Sequence, residues 1–245
     1  MPATLQIRFT PTWLPTLAAA GMIALTFHLG QWQQRRAAEK DALQADFDQR
    51  RALPEIVVDA AQRDAEALRY RNVRVRGTWQ REGEIYLDNK FHDSAVGYQV
   101  VTPLRVAGSN AYVLVNRGWI ARNAGYPKPP LAPPPAEGDV TGIATIPSQR
   151  FLELSAASVE GTVWQNLTVD RYRSKFGLDM LPYVILAREP GAGLQPVAEQ
   201  PDAGAAKHIE YMLTWYSLAA TTLVLWIALN LKIRRQPADA GGKPQ

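Results

Sequence analysis

Residues 211–231 read YMLTWYSLAATTLVLWIALNL, a stretch of 21 residues without a charged side chain between Glu210 and Lys232. A second such stretch, Phe9–Gln34, has 26 residues and lies between Arg8 and Arg35. An α-helix rises about 1.5 Å per residue, so each stretch is long enough to cross a hydrocarbon core of about 30 Å. The two stretches therefore predict transmembrane helices near the two ends of the chain.

The first stretch has an alternative interpretation as a cleaved signal peptide, because Ala18, Ala19 and Ala20 are small enough for a cleavage site. The apolar run continues past these alanines to Leu29, and no small-residue site follows it. We therefore expect an uncleaved anchor. A buried helix of a soluble protein would account for one of the stretches, but hardly for two that are both long, uncharged and bounded by charge.

The average composition conceals these stretches. The chain has 245 residues, of which 47% are hydrophobic and 20% charged, and its mean hydropathy is −0.20. Cysteine is absent, which excludes disulfides, thiolate metal sites and iron–sulfur clusters. Residues 31–208 carry 22 Lys and Arg against 21 Asp and Glu, so most of the net charge of +4 lies at the chain ends. A nucleic-acid partner is therefore not expected.

Two spans place both termini on one side of the membrane. The basic tail indicates a cytoplasmic C-terminus, although Arg35, Arg36 and Lys40 follow the first span on the opposite side. We expect a two-pass protein of the bacterial inner (plasma) membrane. Its predicted parts are a cytoplasmic N-terminus (1–12), a transmembrane helix (13–31), a periplasmic or intermembrane-space α+β domain (32–208), a second transmembrane helix (209–231) and a cytoplasmic tail (232–245).

The middle of the chain combines a helical start with alternating strands. Residues 31–53 lack glycine and proline, which predicts a polar continuation of the first helix that ends at Pro54. Short helices are expected at 60–68 and 170–178, an extended proline-rich loop at 127–135 and a linker at 190–206. The predicted fold class is an α+β membrane protein in which two transmembrane helices flank a mainly antiparallel β domain. The predicted strands are 72–76, 84–88, 98–106, 111–120, 139–146, 162–167 and 183–187.

Motifs for catalysis are missing. The sequence contains no GxxxxGK[ST], GxGxxG, HExxH or GxSxG pattern. His92, Asp93 and Ser94 are the residue types of a hydrolase triad, but adjacent side chains point apart, which favours a histidine in a surface turn. We expect no catalytic residues and no enzyme, and a periplasmic enzyme that uses His92 is the least favoured alternative.

Basic residues alternate with valines at the start of the β domain. Such a face could bind an anionic partner, but a solvated strand face is the favoured interpretation. The residues concerned are Arg69, Arg71, Arg74 and Arg76.

Two histidines lie beside the apolar stretches. His208, Tyr211 and Trp215 have i, i+3, i+7 spacing and share one helix face, while His28 lies near the end of the first stretch. A neutral imidazole is a good axial ligand for haem iron, and aromatic rings pack on a porphyrin. The hypothesis is a haem site with His208 as iron ligand, His28 as a second ligand, and propionates near Lys207, Arg35 or Arg36. The alternative is that these residues form the interfacial belt of an ordinary anchor.

Four segments in this order resemble a known family. They are Gly30-x-Trp32-Gln33-x-x-Arg36-x-x-x-Lys40, then Gly97-Tyr98 followed by Thr102-Pro103-Leu104, then Val113-Leu114-Val115-Asn116-Arg117-Gly118-Trp119-Ile120, and finally His208-x-x-Tyr211-x-x-Thr214-Trp215-Tyr216. Together they resemble the Surfeit locus protein 1 (Shy1-like) family. The resemblance extends roughly from Leu29 to Leu231.

The resemblance implies an assembly factor for haem–copper terminal oxidases, mainly cytochrome c oxidase. Bacterial members are thought to bind haem a as transient cargo and to aid its insertion into oxidase subunit I, with the histidine at the position of His208 implicated. Tyr211 and Trp215 match family positions, Lys207 replaces a polar residue such as Asn, and His28 lies outside the motif. The implied partners are subunit I, haem a synthase and membrane lipids. A cofactor-free membrane scaffold that stabilises oxidase subunits is the alternative.

The segment Asn116–Trp119 is the family's strand motif, and we expect it to have a structural role rather than direct ligand contact. Gly118 predicts a bulge or tight turn, Arg117 a buried salt bridge, and Trp119 a packing site.

Overall fold

The computed structural model describes residues 5–125, 128–134, 137–147, 159–191, 193–197 and 204–235. The chain divides into two compact units, of which the first comprises Met1–Gln44 with Asp202–Gln245 and the second Ala45–Pro201. The elements in chain order are β1 (Leu5–Phe9), α1 (Trp13–Arg51), β2 (Ile56–Val57), α2 (Ala65–Leu68), β3 (Asn72–Trp79), β4 (Ile85–His92), β5 (Ala95–Val106), β6 (Tyr112–Ala121), β7 (Glu137–Thr145), β8 (Val159–Glu160), β9 (Val163–Trp164), α3 (Val169–Phe176), β10 (Met180–Ala187), α4 (Ala205–Asn230) and β11 (Leu231–Arg235).

Helices α1 and α4 are long and apolar enough to cross a membrane. The predicted fold class is confirmed, because these two helices flank a mainly β unit along the chain. As predicted, α1 continues without a break into its polar segment and ends at Arg51, just before Pro54. Helix α4 begins at Ala205, four residues before the predicted span.

A short strand precedes α1 and another follows α4, and these two strands pair in an antiparallel ladder. Strand β1 pairs with β11, with Arg8 opposite Lys232 and Phe9 opposite Leu231, and Thr10 N–H donates to Asn230 O at 3.0 Å. The sequence predicts only chain ends here, because five-residue segments carry too little pattern to predict pairing. The ladder places both segments at one end of the helix pair, as two antiparallel helices require.

Small and polar residues of α1 form the contact with α4. A Cβ atom at Gly30 would lie 2.5 Å from Cε1 of Tyr216, so only glycine permits this approach. Trp226 Nε1–H donates to Thr16 Oγ1 at 3.2 Å, and the rings of Phe27 and Tyr216 lie 5.5 Å apart. Gly30 and Thr16 are fourteen positions apart, close to four helical turns, so they share one face of α1.

The second unit is built on a closed five-stranded barrel. Its strands pair in the order β3, β7, β10, β6, β5, and β5 closes the barrel by pairing with β3 at Gly77–Trp79. Strands β4, β9 and β8 extend the sheet from β5, and β2 adds to β3. A five-stranded barrel of this kind is also the architecture of OB-folds.

All seven predicted strands are present, with shifted ends, and 162–167 shortens to Val163–Trp164. Strands β2 and β8 were not predicted, and the helix expected at 60–68 shortens to Ala65–Leu68. Helix α3 forms where expected and ends at Gly177, whose φ of 65° is left-handed. The sheet is mainly antiparallel, but β10 pairs with β6, β2 with β3 and β4 with β9 in parallel.

The barrel encloses one apolar core, a second lies between the sheet and α3, and a third, smaller cluster includes Tyr86 and Tyr98. Val73 and Val75 point into the first core, as the predicted alternation with arginines requires. Trp164 and Tyr172 anchor the second core. Each fully buried valine, leucine or isoleucine side chain of these cores contributes about 1.5–3 kcal/mol to stability. Residues 128–134 of the proline-rich loop have no regular secondary structure, as predicted, while Pro127 and Pro135 lie outside the described residues.

Candidate functional site

His208 lies in the first turn of α4 and is half-buried. Its Nδ1 atom lies 2.7 Å from Oε1 of Gln33, a residue of α1 that is 8% exposed. An amide oxygen can only accept a hydrogen bond, so the proton of the imidazole lies on Nδ1 and is donated to Gln33. In the neutral imidazole that makes this contact, the other ring nitrogen, Nε2, carries the lone pair that can bind a metal ion.

The position of Gln33 follows from the packing of the two helices. Gln33 comes three residues after Gly30, on the same side of α1, and Gly30 lies against the ring of Tyr216. The hydroxyl of Tyr216 also donates to Oε1 of Gln34 at 3.0 Å. These contacts fix the register of α1 against α4, and so the distance between Gln33 and His208.

An open cleft of about 560 Å³ borders His208. Its volume lies within the range of about 300–1,000 Å³ typical of small-molecule sites. The cleft combines a neutral nitrogen ligand, an aromatic ring on Tyr211 that is 57% exposed, and two ammonium groups. This combination suits an amphiphilic ligand that carries both a metal ion and carboxylates. The lining residues are Gln33, Lys40, Gly204, Ala206, Lys207, His208 and Tyr211.

The structure brings together some of the predicted site residues and separates others. His208, Tyr211 and Lys207 share the cleft, whereas Trp215 is half-buried further along α4 and is not among the residues that line it. His28 is exposed on α1. Five positions along a helix turn a side chain by about 140°, so His28 and Gln33 point to different sides of α1. A second-ligand role for His28 stays a prediction.

The cations near the cleft differ in part from those expected. Arg35 is exposed, and Arg36 pairs with Glu39 on its own helix at 2.8 Å. Neither arginine lines the cleft, whereas Lys40 does. The sequence reasoning missed Gln33 and Lys40 as site residues. Both belong to the motif Gly30–Lys40, and their helical spacing from Gly30 was the available signal.

A second polar cluster lies within the barrel unit. Arg117 on β6 is 3% exposed, and its Nη1 donates to Glu84 Oε2 at 3.0 Å and to Ala132 O at 2.6 Å. Glu84 also accepts hydrogen bonds from Thr102 at 2.8 Å and Tyr86 at 2.7 Å. Burial lowers the pKa of Arg117, while the nearby carboxylate of Glu84 favours its charged form. The predicted buried salt bridge is confirmed.

The rest of the strand motif also has the predicted structural role. Gly118 has a φ of 136°, and the pairing of β5 with β6 skips a residue there, which defines a bulge. Trp119 is 4% exposed and donates from Nε1 to Lys90 O at 2.8 Å. The ring of His92 stacks on Trp119 at 5.1 Å, beside the turn at Asp93 and Ser94, both of which have positive φ. His92 is the last residue of β4 and its side chain is 25% exposed, so the prediction that it lies in a surface turn is wrong by one position, because the turn begins at Asp93.

Of the four arginines predicted to share a strand face, only Arg74 and Arg76 lie on β3, while Arg69 and Arg71 precede it. Arg74 and Arg76 both bind Asp139, and Arg69 binds Glu66 at 2.8 Å. The hydrogen bond from Arg74 is the main cause that lowers the pKa of Asp139 to about 2. This arrangement agrees with the favoured interpretation of a solvated strand face.

Comparison of the sequence with known proteins identifies a family. The model of the SURF1 family matches residues 20–220, which include Gln33, the barrel and His208. A SURF1-like protein of Drosophila melanogaster is 29% identical over 231 residues, which cover 83% of this chain and 73% of the relative. Surfeit locus protein 1 of Rattus norvegicus is 27% identical over 87% of this chain and 74% of its own length.

A bacterial relative shows a similar match. A SURF1-like protein of Rickettsia conorii is 28% identical over 81% of this chain and 84% of its own length. The expected family is therefore confirmed by an independent comparison that covers both units. This chain belongs to the SURF1 family.

Proposed function

We propose that this protein is a membrane-bound assembly factor for cytochrome c oxidase that binds haem a as transient cargo and aids its insertion into subunit I. Membership in the SURF1 family supports a role in cytochrome c oxidase assembly. The haem part of the proposal rests on one observation, the hydrogen bond of 2.7 Å between His208 Nδ1 and Gln33 Oε1.

This hydrogen bond prepares His208 as a metal ligand. Histidines that bind metals generally donate their second ring N–H to an oxygen, which fixes the tautomer and the orientation of the ring. Gln33 supplies that oxygen from a buried position on the neighbouring helix. When bound, haem a supplies an iron that takes a neutral nitrogen as axial ligand and two propionates that pair with cations.

Other residues of the cleft complement such a ligand. Tyr211 offers an exposed aromatic ring one turn along α4 from His208, and Lys40 and Lys207 offer positive charge. A porphyrin has an apolar ring and acidic propionates, so it matches both kinds of surface. A single protein ligand and an open cleft also suit a cargo that has to be released again.

The proposed setting is a membrane, which the length and apolar character of the two helices support. The protein is a carrier rather than an enzyme, since transfer of haem a requires binding and release and no bond to be made or broken in the porphyrin. The two helices cross the bacterial inner membrane, and the barrel unit faces the periplasm. Haem a synthase is the proposed donor and oxidase subunit I the acceptor.

The second candidate is a scaffold that binds no cofactor and stabilises oxidase subunits. The exposed apolar side chains of α4 favour it, because partner helices could cover them as well as lipid. Examples are Leu213, Leu223, Val224 and Leu225. Co-purification with subunit I that survives complete depletion of haem a would support the scaffold over the carrier.

The test of the carrier is a titration of the full chain in detergent with haem a, followed through the Soret absorption band. His208→Ala removes the iron ligand, so we expect at least a tenfold loss of affinity and an altered band. His92→Ala is the matched control, because that imidazole stacks on Trp119 in the other unit. An unchanged spectrum and affinity in His208→Ala would refute the ligand role.

His28→Ala, measured in the same titration, separates binding by one histidine from binding by two. A loss as large as that of His208→Ala would identify His28 as the second ligand. If His28→Ala binds haem a as tightly as the wild type, then His28 is not an iron ligand and His208 is the ligand that the protein supplies.

A further inference from the structure

The ladder formed by β1 and β11 places two positive charges side by side. Arg8 lies directly opposite Lys232, and both residues are exposed. The Cβ atoms of such an opposed pair are about 4.5–5.5 Å apart, so two like charges repel each other and destabilise the ladder. An anion that binds both side chains would remove this repulsion and strengthen the pairing of the two strands.

The chain supplies no carboxylate side chain close to this pair in the sequence. Asp and Glu are absent from residues 1–38 and from residues 211–238. Within the part of the chain that the structure describes, neither Arg8 nor Lys232 takes part in an ion pair. The counter-charge for these two side chains therefore has to come from a molecule or ion outside the chain.

The other face of the ladder is apolar and contacts α4. Phe9 lies opposite Leu231, and the rings of Phe9 and Trp226 meet edge to face with their centroids 5.4 Å apart. Successive residues of a strand point to opposite faces, so Arg8 and Lys232 point away from Trp226. The ladder therefore has one face that packs on the helix pair and one face that carries the two cations.

The ladder lies where the two apolar helices end. Strand β11 follows α4 without a gap, and only residues 10–12 separate β1 from α1. Trp13, the first residue of α1, is 74% exposed, and Trp226 lies about one turn before the end of α4. Tryptophans are enriched at the boundary between the hydrocarbon core and water, so the ladder belongs at the depth of the lipid headgroups.

We propose that the ladder of β1 and β11 binds the headgroup of an anionic phospholipid, with the phosphate between Arg8 and Lys232. The guanidinium of Arg8 donates two hydrogen bonds to phosphate oxygens, and the ammonium of Lys232 adds a second positive charge. A zwitterionic lipid is the poorer ligand, because the same two side chains repel the cationic part of its headgroup.

Exposed apolar residues beside the ladder favour a lipid over a free phosphate ion. Leu229, in the last turn of α4, is 80% exposed, and Leu14, in the first turn of α1, is 63% exposed. The acyl chains of a lipid cover such side chains, whereas a phosphate ion has no apolar part that could do so. The proposal rests on the proposed membrane setting of the two helices, but it requires neither haem a nor an oxidase.

The experiment titrates the haem-free full chain, in the uncharged detergent dodecyl maltoside, with phosphatidylglycerol that carries a dansyl group on one acyl chain. Energy transfer from tryptophan to dansyl measures binding, and dansyl-labelled phosphatidylcholine is the zwitterionic reference. A basic side chain near an anionic lipid contributes about fivefold to affinity, so we expect a preference for phosphatidylglycerol of at least tenfold. Equal binding of the two lipids would overturn the proposal. Inorganic phosphate that displaces the lipid at equal concentration would also overturn it, in favour of a site for free anions.

Variants then locate the binding. Arg8→Gln and Lys232→Gln each remove one cation, and each should weaken binding of phosphatidylglycerol about fivefold while binding of phosphatidylcholine stays the same. Arg35→Gln is the matched control, because Arg35 is an exposed arginine of the same helix pair that follows the other end of the first apolar stretch. If Arg35→Gln weakens binding as much as Arg8→Gln, the lipid responds to overall charge and the proposed site is wrong.

Arg8→Glu provides a test with the opposite sign. It places opposite charges across the ladder, so it should raise the thermal stability of the lipid-free protein and reduce the preference for phosphatidylglycerol at least fivefold. In the wild type, by contrast, added phosphatidylglycerol should raise the melting temperature measured by circular dichroism. If this lipid stabilises Arg8→Glu as much as the wild type, the ladder is not its site. Because no haem is present, these results are independent of the Soret titration that tests the proposed carrier function.

Discussion

His208 in the helix pair and Arg117 in the barrel are both held by a polar residue of a neighbouring element, but with different outcomes. His208 uses Nδ1 to bind Gln33 and keeps Nε2 for a ligand, next to an open cleft. Arg117 is 3% exposed, and Glu84 balances its charge inside the unit. The helix pair therefore leaves the imidazole of His208 available to a ligand, whereas the barrel uses the guanidinium of Arg117 mainly to hold its own strands together.

This difference follows from how the two regions are packed. The barrel packs apolar residues close to its polar cluster, so water replaces a lost polar partner less readily there than on an exposed helix surface. The two helices touch along a narrow stripe that includes Gly30, and many of their large apolar side chains are exposed. Changes in the barrel should thus affect stability most, and changes in the helix pair should affect ligand binding.

The largest effect is expected from Arg117→Leu. It leaves the carboxylate of Glu84 without its cation at a site where that side chain is only 13% exposed. Breaking a buried ion pair in this way costs about 3–5 kcal/mol of unfolding free energy. The measurement is urea denaturation in detergent, followed by far-ultraviolet circular dichroism of the β unit.

Two variants control for Arg117→Leu. Arg105→Leu removes an exposed arginine that binds Ser109 and Asn110, and it should cost less than about 1 kcal/mol. Adding Glu84→Gln to Arg117→Leu removes the unpaired charge and should recover part of the stability. If Arg117→Leu were no worse than Arg105→Leu, the comparison between the two regions would fail.

A smaller effect is expected from Gly30→Ala. The added Cβ would lie 2.5 Å from the ring of Tyr216, so the helices have to move apart. Overpacking of this kind costs about 1–3 kcal/mol. The change is read from the helical signal in circular dichroism during denaturation.

Gly21→Ala is the matched control for Gly30→Ala, because nothing lies within 4 Å of a Cβ atom at that position of the same helix. It should be neutral, or stabilise the helix by up to about 1 kcal/mol, since alanine is the better helix former. Equal losses in both variants would show that the contact between Gly30 and Tyr216 does not hold the pair together.

Local pattern was enough to predict most elements. The length of the uncharged stretches marked α1 and α4, and the alternation of Val73 and Val75 with arginines marked the inner face of β3. Gly118 was recognisable because a glycine between bulky strand residues is typical of a bulge. Each of these features depends on residues close together in the chain.

Pairings between distant residues were not accessible in this way. Strands β1 and β11 meet across almost the whole chain, and the closure of the barrel depends on only three residue pairs between β3 and β5. Within the candidate site, His208 was found from its helical spacing, but its partner Gln33 lies 175 positions away. Glu84 was likewise one of many scattered carboxylates until the fold placed it beside Arg117.

The smallest effect, and the sharpest test of the helix pair, is expected from Gln33→Leu. It removes the acceptor for His208 Nδ1–H while His208 itself remains, so the imidazole loses its fixed tautomer and orientation. Loss of such a supporting hydrogen bond should weaken haem a binding by about tenfold in the Soret titration. The control is Gln34→Leu, which removes the contact with the Tyr216 hydroxyl but not the one with His208.

If Gln33 had a purely structural role, replacing it would leave the electronic properties of the bound iron unchanged. Gln33→Glu replaces the amide oxygen with a carboxylate, which makes His208 a more basic ligand and should lower the reduction potential of the haem. Gln34→Glu should leave that potential unchanged. The Gln33 and Gln34 variants could instead bind haem a alike and show the same reduction potential. The hydrogen bond between His208 and Gln33 would then only stabilise the packing of the two helices, and His208 would not be an iron ligand.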